Sequence, residues 1–206
     1  MLYGNIGKNR FLGRVVKIYC HARYYGFHSD VNTIAFVNFL KNDLRTFTHL
    51  VPASELEAAQ VLANDLAGLT RMYGPLTVCG IPRSKRESVY PVEKMGLKRA
   101  IRRAVLGNSM LSDGLDYIIR HTDTLCTHRS RWGYGGAGEA PRPGLLRDTC
   151  TLSPAIAGKN IVLVDDIYTP GVGIDEDGVQ ALFDAGAKNV ILYTFGYTVK
   201  KYGCAA

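Results

Sequence analysis

The sequence predicts an α/β fold built on an open, mainly parallel sheet flanked by helices. Three observations support this prediction: apolar runs of strand length, segments of helical periodicity between them, and glycine or proline at the boundaries. The chain has 206 residues, 47% of them hydrophobic, which is enough for one core. We therefore expect a single domain over residues 1–206, with an N-terminal extension at 1–51 and the core at 52–206.

Each element follows from a local pattern. Ser54 and Glu57 resemble a capping box at the start of a long amphipathic helix, which Gly74 would end. Strands that alternate with helices indicate parallel pairing, because a helix carries the chain back between parallel strands. The predicted elements are, in order, a strand at 14–20, helices at 31–41 and 54–72, a strand at 76–81, a basic helix at 91–106, strands at 116–120 and 161–164, a helix at 175–185 and a strand at 190–195.

The composition excludes several classes of protein. No apolar run approaches the ~20 residues that a membrane-spanning helix needs, and the N-terminus lacks a signal-peptide pattern, so we expect a cytoplasmic protein without a membrane partner. The five cysteines are scattered without a Cys-x-x-Cys pair, and the five histidines show no metal spacing. A disulfide framework and a zinc site are therefore not expected.

The net charge of +7 is concentrated in residues 83–103, here called the basic stretch. Such a stretch attracts either a polyphosphate or nucleic acid, and the sequence leaves both open. Its acidic residues are Glu87 and Glu93. Its basic residues are Arg83, Lys85, Arg86, Lys94, Lys98, Arg99, Arg102 and Arg103.

Residues 161–174 carry the most informative pattern. An apolar run ends at Val164, Asp165 and Asp166 follow it, and a Thr/Gly loop at 169–173 leads into a helix. Ligands of open α/β sheets bind at the carboxyl edge where such a strand ends. The backbone N–H groups of the loop and the positive end of the helix favour an anion there.

The two acids distinguish this pattern from the commoner phosphate loops. A Walker A loop would end in Gly-Lys-Ser/Thr, and a dinucleotide loop would read Gly-x-Gly-x-x-Gly; neither occurs here. Carboxylates accept hydrogen bonds from vicinal ribose hydroxyls, and Mg²⁺ would offset the crowded negative charge. Phosphoribosyl pyrophosphate (PRPP) is a ligand with these features.

Residues 161–174 resemble the PRPP motif of type I phosphoribosyltransferases. The resemblance implies a type I phosphoribosyltransferase-like fold, in which residues 1–51 form a hood, and it implies that Asp165 and Asp166 bind ribose hydroxyls and Mg²⁺. The implied binding positions that follow the acids are Tyr168, Thr169, Pro170, Gly171, Val172 and Gly173. Pro170 replaces a usual Thr or Ser, and Gly173 replaces a hydroxyl residue. We therefore expect the backbone N–H groups of Gly171, Val172 and Gly173 to hold the 5′-phosphate.

Two further loops are assigned to the same site. Arg83, Ser84, Lys85 and Arg86 follow a predicted strand and are expected to bind the pyrophosphate. The long interval between the strands at 116–120 and 161–164 is rich in Gly, Arg and Pro, which is typical of a lid. The expected catalytic residues are Asp165, Asp166, Lys85, Arg129 and Arg131.

The resemblance implies transfer of phosphoribose from PRPP to a nitrogenous base by a Mg²⁺-dependent homodimer. The order of the motifs also resembles the competence-factor (ComF-like) and amidophosphoribosyltransferase-like branches of this superfamily. The alternative is a non-catalytic module in DNA uptake or bacterial defence, as in retron-associated proteins. Such a module would bind a protein partner, or nucleic acid through the basic stretch.

Overall fold

A six-stranded, mostly parallel sheet forms the centre of the protein. The computed structural model describes residues 1–26, 33–40, 48–125 and 145–199. The strands of this sheet are β1 (Leu2–Ile6), β2 (Val16–Tyr24), β3 (Leu76–Gly80), β4 (Leu111–Asp113), β7 (Asn160–Tyr168) and β8 (Asn189–Thr198). Their order is β1-β2-β8-β7-β3-β4, and only the β1–β2 pair is antiparallel. The prediction of a mainly parallel α/β fold is confirmed.

Two further strands, β5 (Ile118–Arg120) and β6 (Cys150–Leu152), form a separate antiparallel pair. The helices are α1 (Val37–Leu40), α2 (Val51–Tyr73), α3 (Gly96–Leu106), α4 (Leu145–Thr149) and α5 (Ile174–Asp184). No helix in the described ranges has the length and apolar character needed to cross a membrane.

The sheet separates two hydrophobic cores. On one face, α2 contributes a row of fully buried residues, Ala58, Leu62, Leu66 and Leu69, at the spacing of one helix side. On the other face, α5 and the segment around Leu12 cover the sheet. The apolar run of β7 is fully buried between these cores, and burying each such Val or Leu stabilises the fold by about 1.5–3 kcal/mol.

The connections on the two sides of the β3–β7 pair run in opposite directions across the sheet. After β3 the chain passes through α3 to β4, which is the outer neighbour of β3. After β7 it passes through α5 to β8, on the opposite side of β7. Helices α3 and α5 therefore cover opposite faces, and a crevice opens between the carboxyl ends of β3 and β7.

The N-terminal prediction was incomplete. The structure adds β1, which the sequence did not suggest because Ile6 is the only buried residue of that strand. β2 begins and ends later than the predicted 14–20 strand. Both strands fall within residues 1–51, and both belong to the central sheet.

The predicted helix starts were also inaccurate. Within the predicted helix 31–41, only α1 is helical among the described residues 33–40. α2 begins at Val51 after Leu50, which forms no side-chain cap, so the capping box predicted from Ser54 to Glu57 is wrong. Ser54 instead lies inside the helix and is buried.

The predicted strand at 116–120 does not join the central sheet. β5 pairs with β6 instead, and β4 occupies the position beside β3. β4 has three residues, of which only Leu111 is buried, so it carries no recognisable strand pattern. The other predicted elements agree with β3, α3, β7, α5 and β8, apart from shifted ends.

Candidate active site

Asp165 and Asp166 stand where β7 extends beyond its neighbour β3. The last register pair of these strands joins Gly80 to Val164, and the N–H of Ile81 donates to the Val164 carbonyl at 2.9 Å. β7 continues beside β8 to Tyr168. The two carboxylates are therefore at the crevice between β3 and β7, still within a strand instead of beyond its end.

Both carboxylates are largely buried, each with 7% of the residue exposed. The N–H of Asp166 donates to Asp165 Oδ1 at 2.8 Å, and the N–H of Ile167 donates to Asp166 Oδ1 at 2.7 Å. Burial, followed by the charge of Asp166, raises the pKa of Tyr24 to about 12. Buried carboxylates at a sheet edge favour a ligand that supplies hydroxyl donors or a cation.

The 169–173 loop forms a tight turn before α5. Gly171 and Gly173 have φ values of 85° and 89°, which other residues rarely adopt, and Gly173 is the N-cap of α5. The Val172 N–H donates to the Thr169 carbonyl at 3.2 Å and is therefore used within the turn, and its expected contact with a phosphate stays a prediction. The Thr169 hydroxyl is 2.8 Å from that of Thr198. Among the described residues, the N–H groups of Gly171 and Gly173 have no acceptor.

The hydroxyl of Tyr168, an expected ligand position, is used inside the protein. It donates to Glu176 Oε1 at 2.9 Å, and both residues are buried. Burial, followed by the Glu176 charge, raises the pKa of Tyr168 well above its usual value. Asp175 and Asp177 flank Glu176 and are also buried, so the first turn of α5 holds three acids that stabilise the positive end of the helix.

The 82–86 loop leaves β3 beside the two carboxylates. Arg83 is directed toward residues further along the chain: its Nη1 donates to the Lys94 carbonyl at 3.0 Å, and its guanidinium lies 4.4 Å from the Tyr90 ring centre. Arg86 pairs with Asp123 through its backbone N–H at 2.9 Å and its Nε at 3.2 Å. These side chains hold the loop in place. The Ser84 hydroxyl lies 3.2 Å from the Tyr90 hydroxyl, and Ser84 and Lys85 are the other two residues of the loop that the sequence assigns to the pyrophosphate.

Arg120 is a site residue that the sequence did not indicate. It is 6% exposed at the end of β5, where its Nε donates to the Arg83 carbonyl and its Nη1 to Thr149 Oγ1 at 2.7 Å. Burial lowers the pKa of its guanidinium. Beside it, Thr124 donates through both its N–H and its hydroxyl to the Ser84 carbonyl, at 2.7 and 2.9 Å. The 82–86 loop is therefore held by residues far away in sequence.

The basic stretch is less available to a ligand than its composition suggests. At least five of its ten charged side chains form ion pairs, and four of the five carboxylates involved belong to residues outside 83–103. The pairs are Arg86–Asp123, Lys98–Glu87, Lys98–Asp116, Arg99–Glu55, Arg102–Asp113 and Arg102–Asp116. Carboxylates that are distant in sequence but close in the structure therefore offset much of the positive charge of the basic stretch.

The predicted lid cannot be compared with the structure. Arg129 and Arg131, two of the expected catalytic residues, lie outside the described residues. The described chain on either side is anchored near the crevice: Thr124 bonds to Ser84, and the N–H of Leu146 donates to Asp177 Oδ2 at 2.9 Å. The roles of Arg129 and Arg131 remain predictions.

The donor set at Asp165 and Asp166 fits Mg²⁺ held jointly by protein and substrate. Two adjacent carboxylates supply oxygen ligands, and the described part of the chain contains no group of three or more potential metal-binding side chains. Mg²⁺ commonly binds through one or two carboxylates together with substrate phosphates and water. The site suits such an ion better than a metal enclosed entirely by protein.

Comparisons with known proteins add little to this geometry. No protein-family model matches the chain, and no curated protein matches it. Among solved structures, the chain is similar to a hypoxanthine phosphoribosyltransferase from Staphylococcus aureus, at 18% identity and a TM-score of 0.38, over 81% of this chain and 82% of that chain. A likeness this distant carries no inference about function.

Proposed function

We propose that the protein binds PRPP with Mg²⁺ and transfers its phosphoribosyl group to a nitrogenous base. The observation that carries the proposal is the position of Asp165 and Asp166, buried on β7 at the crevice beside β3. An anion-favouring glycine loop follows them, and a basic loop begins at the neighbouring strand. Few ligands other than a ribose with phosphate at both ends would use all three features.

The proposed reaction needs little covalent chemistry from the protein. The bond between the ribose C1 and the pyrophosphate oxygen breaks, a base nitrogen forms the new bond to C1, and the base loses a proton. Asp165 and Asp166 would orient the ribose through its hydroxyls. Lys85 and Ser84 would hold the departing pyrophosphate, and the 169–173 loop would hold the 5′-phosphate. Bound Mg²⁺ would neutralise charge on the pyrophosphate.

The alternative role in nucleic-acid binding has weaker support. It depends on the basic stretch, whose Lys98, Arg99 and Arg102 are already paired with carboxylates. Releasing them for a phosphate backbone would break these pairs, which reduces the gain from binding. A homodimer is a further expectation that comes from the resemblance alone, and a cytoplasmic location is one that comes from the N-terminal and apolar patterns of the sequence.

The test is a calorimetric titration of the purified protein with PRPP and Mg²⁺. We expect wild-type binding and a loss of roughly a hundredfold in affinity, about 3 kcal/mol, in Asp165→Asn/Asp166→Asn. The matched control is Asp148→Asn/Asp184→Asn, which removes two exposed carboxylates of α4 and α5 and should bind as wild type. Wild-type protein that binds no PRPP, or acid variants that bind it normally, would refute the proposal.

A second measurement tests catalysis separately from binding. Pyrophosphate release from PRPP is followed with a panel of purine and pyrimidine bases and Mg²⁺. A base that stimulates release in the wild-type protein, but not in Asp165→Asn/Asp166→Asn, would identify the acceptor. Binding without release by any base would favour the non-catalytic alternative.

A further inference from the structure

The segment from Phe11 to Arg14 lies along helix α5 in the same direction as the helix. A Cβ atom on Gly173 would clash with the Phe11 ring, so Phe11 covers the N-terminal end of α5. The Gly13 N–H donates to Gln180 Oε1 at 2.9 Å, one to two turns further on. Phe11 is therefore at the end of this segment that is nearest to the 169–173 loop.

The position of Arg10 is fixed by a hydrogen-bonded turn. Asn9 Oδ1 accepts the N–H groups of Phe11 at 2.9 Å and Leu12 at 3.1 Å. The backbones of Asn9 and Leu12 also bond to each other in both directions. Phe11 and Leu12 are buried, which anchors the turn, so the backbone of Arg10 cannot move far from α5.

Arg10 and Gly173 both lie against the Phe11 ring. Its Cζ is 4.5 Å from the centre of the Phe11 ring, and the edge of the same ring contacts Gly173. The side chain is exposed, and no carboxylate of the described residues forms an ion pair with it. A cation without an ion-pair partner in the described part of the chain therefore stacks on the ring that covers the glycine capping α5.

The 169–173 loop needs such a cation if it holds a phosphate. Pro170 has no N–H, the Thr169 hydroxyl contacts Thr198, and the Val172 N–H is used within the turn. The remaining donors of the loop are backbone groups at Gly171 and Gly173, too few for the three terminal oxygens of a phosphate monoester. Arginine provides a charged fork of donors suited to such oxygens.

We propose that Arg10 binds the phosphate monoester held by the 169–173 loop, with the Phe11 ring as its support. This inference rests on the proposed function, and it adds a residue of the N-terminal segment to the ligand site. Arg10 would bind the 5′-phosphate end of the ligand, whereas the 82–86 loop would bind the pyrophosphate. The two ends of the ligand therefore depend on different cations.

The chain offers a closely matched control for Arg10. Arg14 is also exposed and also stacks on an aromatic ring, with its Cζ 4.0 Å from the centre of Phe183. Phe183 is in the last turn of α5, at the opposite end from Gly173. Replacing either arginine by Gln removes one positive charge and one stacking contact. A difference in ligand affinity between the two variants therefore reflects only where each arginine lies along α5.

The experiment titrates wild type, Arg10→Gln and Arg14→Gln separately with ribose 5-phosphate, with pyrophosphate plus Mg²⁺, and with PRPP plus Mg²⁺. We expect Arg10→Gln to lose roughly tenfold in affinity for ribose 5-phosphate and PRPP, and to bind pyrophosphate as wild type does. Arg14→Gln should bind all three as wild type. Arg10→Lys, which keeps the charge but not the fork, should lose less affinity than Arg10→Gln.

The outcomes separate this inference from the proposed function. Unchanged ribose 5-phosphate affinity in Arg10→Gln, or an equal loss in Arg14→Gln, would overturn the assignment of Arg10 while PRPP binding stands. An equal loss for pyrophosphate and ribose 5-phosphate would also overturn it, because that result indicates a general charge effect. Wild-type protein that fails to bind PRPP would refute the proposed function, and Arg10 would lose its role with it.

Discussion

The two loops at the crevice achieve their positions in different ways. The 82–86 loop is rich in charged side chains, yet those of Arg83 and Arg86 bond to other parts of the protein. Contacts with Arg120, Asp123 and Thr124, which lie outside the loop, hold it in place. The 169–173 loop has almost no polar side chains. Two glycines of positive φ determine its backbone conformation, and the Phe11 ring packs against Gly173.

This difference shows that the number of charged residues in a loop does not tell how many of them are available to a ligand. The more basic loop uses most of its charge in contacts within the protein. The 169–173 loop has no charged side chain, but the N–H groups of Gly171 and Gly173 have no acceptor among the described residues, and the ring that covers Gly173 carries Arg10 on its face. Three substitutions test this difference between the two loops.

The largest effect is expected for Gly173→Ala. The new Cβ would clash with the Phe11 ring, and φ of residue 173 is 89°, so the change combines a steric clash with backbone strain. We expect a loss of about 3 kcal/mol in the free energy of unfolding, measured by urea denaturation. Gly171→Ala is the matched control, because it has φ of 85° but an open surrounding, and it should lose only about 1–2 kcal/mol.

A double-mutant cycle identifies the source of the extra loss. In a Phe11→Ala background, Gly173→Ala should cost no more than Gly171→Ala, because the clash is gone. Equal losses for the two glycine variants in the wild-type background would contradict the contact between Phe11 and the 169–173 loop.

A smaller effect is expected for Arg120→Met, which tests how the 82–86 loop is held. Methionine of similar length keeps the packing but leaves the Arg83 carbonyl and Thr149 hydroxyl without this donor. We expect a loss of about 2 kcal/mol in the free energy of unfolding, together with weaker binding of pyrophosphate. Arg103→Met, an exposed position on α3, should change stability by less than about 0.5 kcal/mol. Equal stability of the two variants would show that Arg120 does not hold the loop.

The smallest effect is a pH dependence of the 82–86 loop. The backbone N–H of Arg86, with the side chain of the same residue, lowers the pKa of Asp123 below its usual value. A lowered pKa means that the contribution of this carboxylate to stability is present above its unfolded-state pKa, near 3.9, and is lost as the pH falls through the folded-state value. Because Asp123 is partly exposed, we expect only a few tenths of a kcal/mol.

Urea midpoints of wild type and Asp123→Asn between pH 6 and about pH 2.5 measure this contribution. The variant should be slightly less stable near pH 6, and the difference should shrink as the pH falls below about 4. A difference that stays constant with pH would show that the charge of Asp123 does not contribute.

Some of the site was predictable because it is contiguous in sequence. The apolar run of β7, the two acids and the start of α5 follow each other directly, so local patterns were enough to place them on one edge of the sheet. The same holds for β3 and the loop after it. The parallel sheet followed from the alternation of strands and helices.

The rest depends on contacts between distant parts of the chain. Arg120 reaches Arg83 across 37 positions, and Phe11 meets Gly173 from the opposite end of the sequence. The ion pairs of the basic stretch use carboxylates such as Glu55 that no local window includes. Tyr168 was expected to face a ligand, but its hydroxyl bonds to Glu176, because strand geometry alone does not reveal which polar group a side chain meets.

The most direct test of this account is a nitrogen-15 NMR titration of the labelled protein with ribose 5-phosphate. We predict that the largest shifts occur at the backbone amides of Gly171 and Gly173 and at Nε of Arg10, with smaller shifts at Asp165 and Asp166. Amides of residues 98–103 on α3 should not move. Shifts concentrated on α3, with Gly171 and Gly173 unchanged, would contradict a phosphate site at the start of α5.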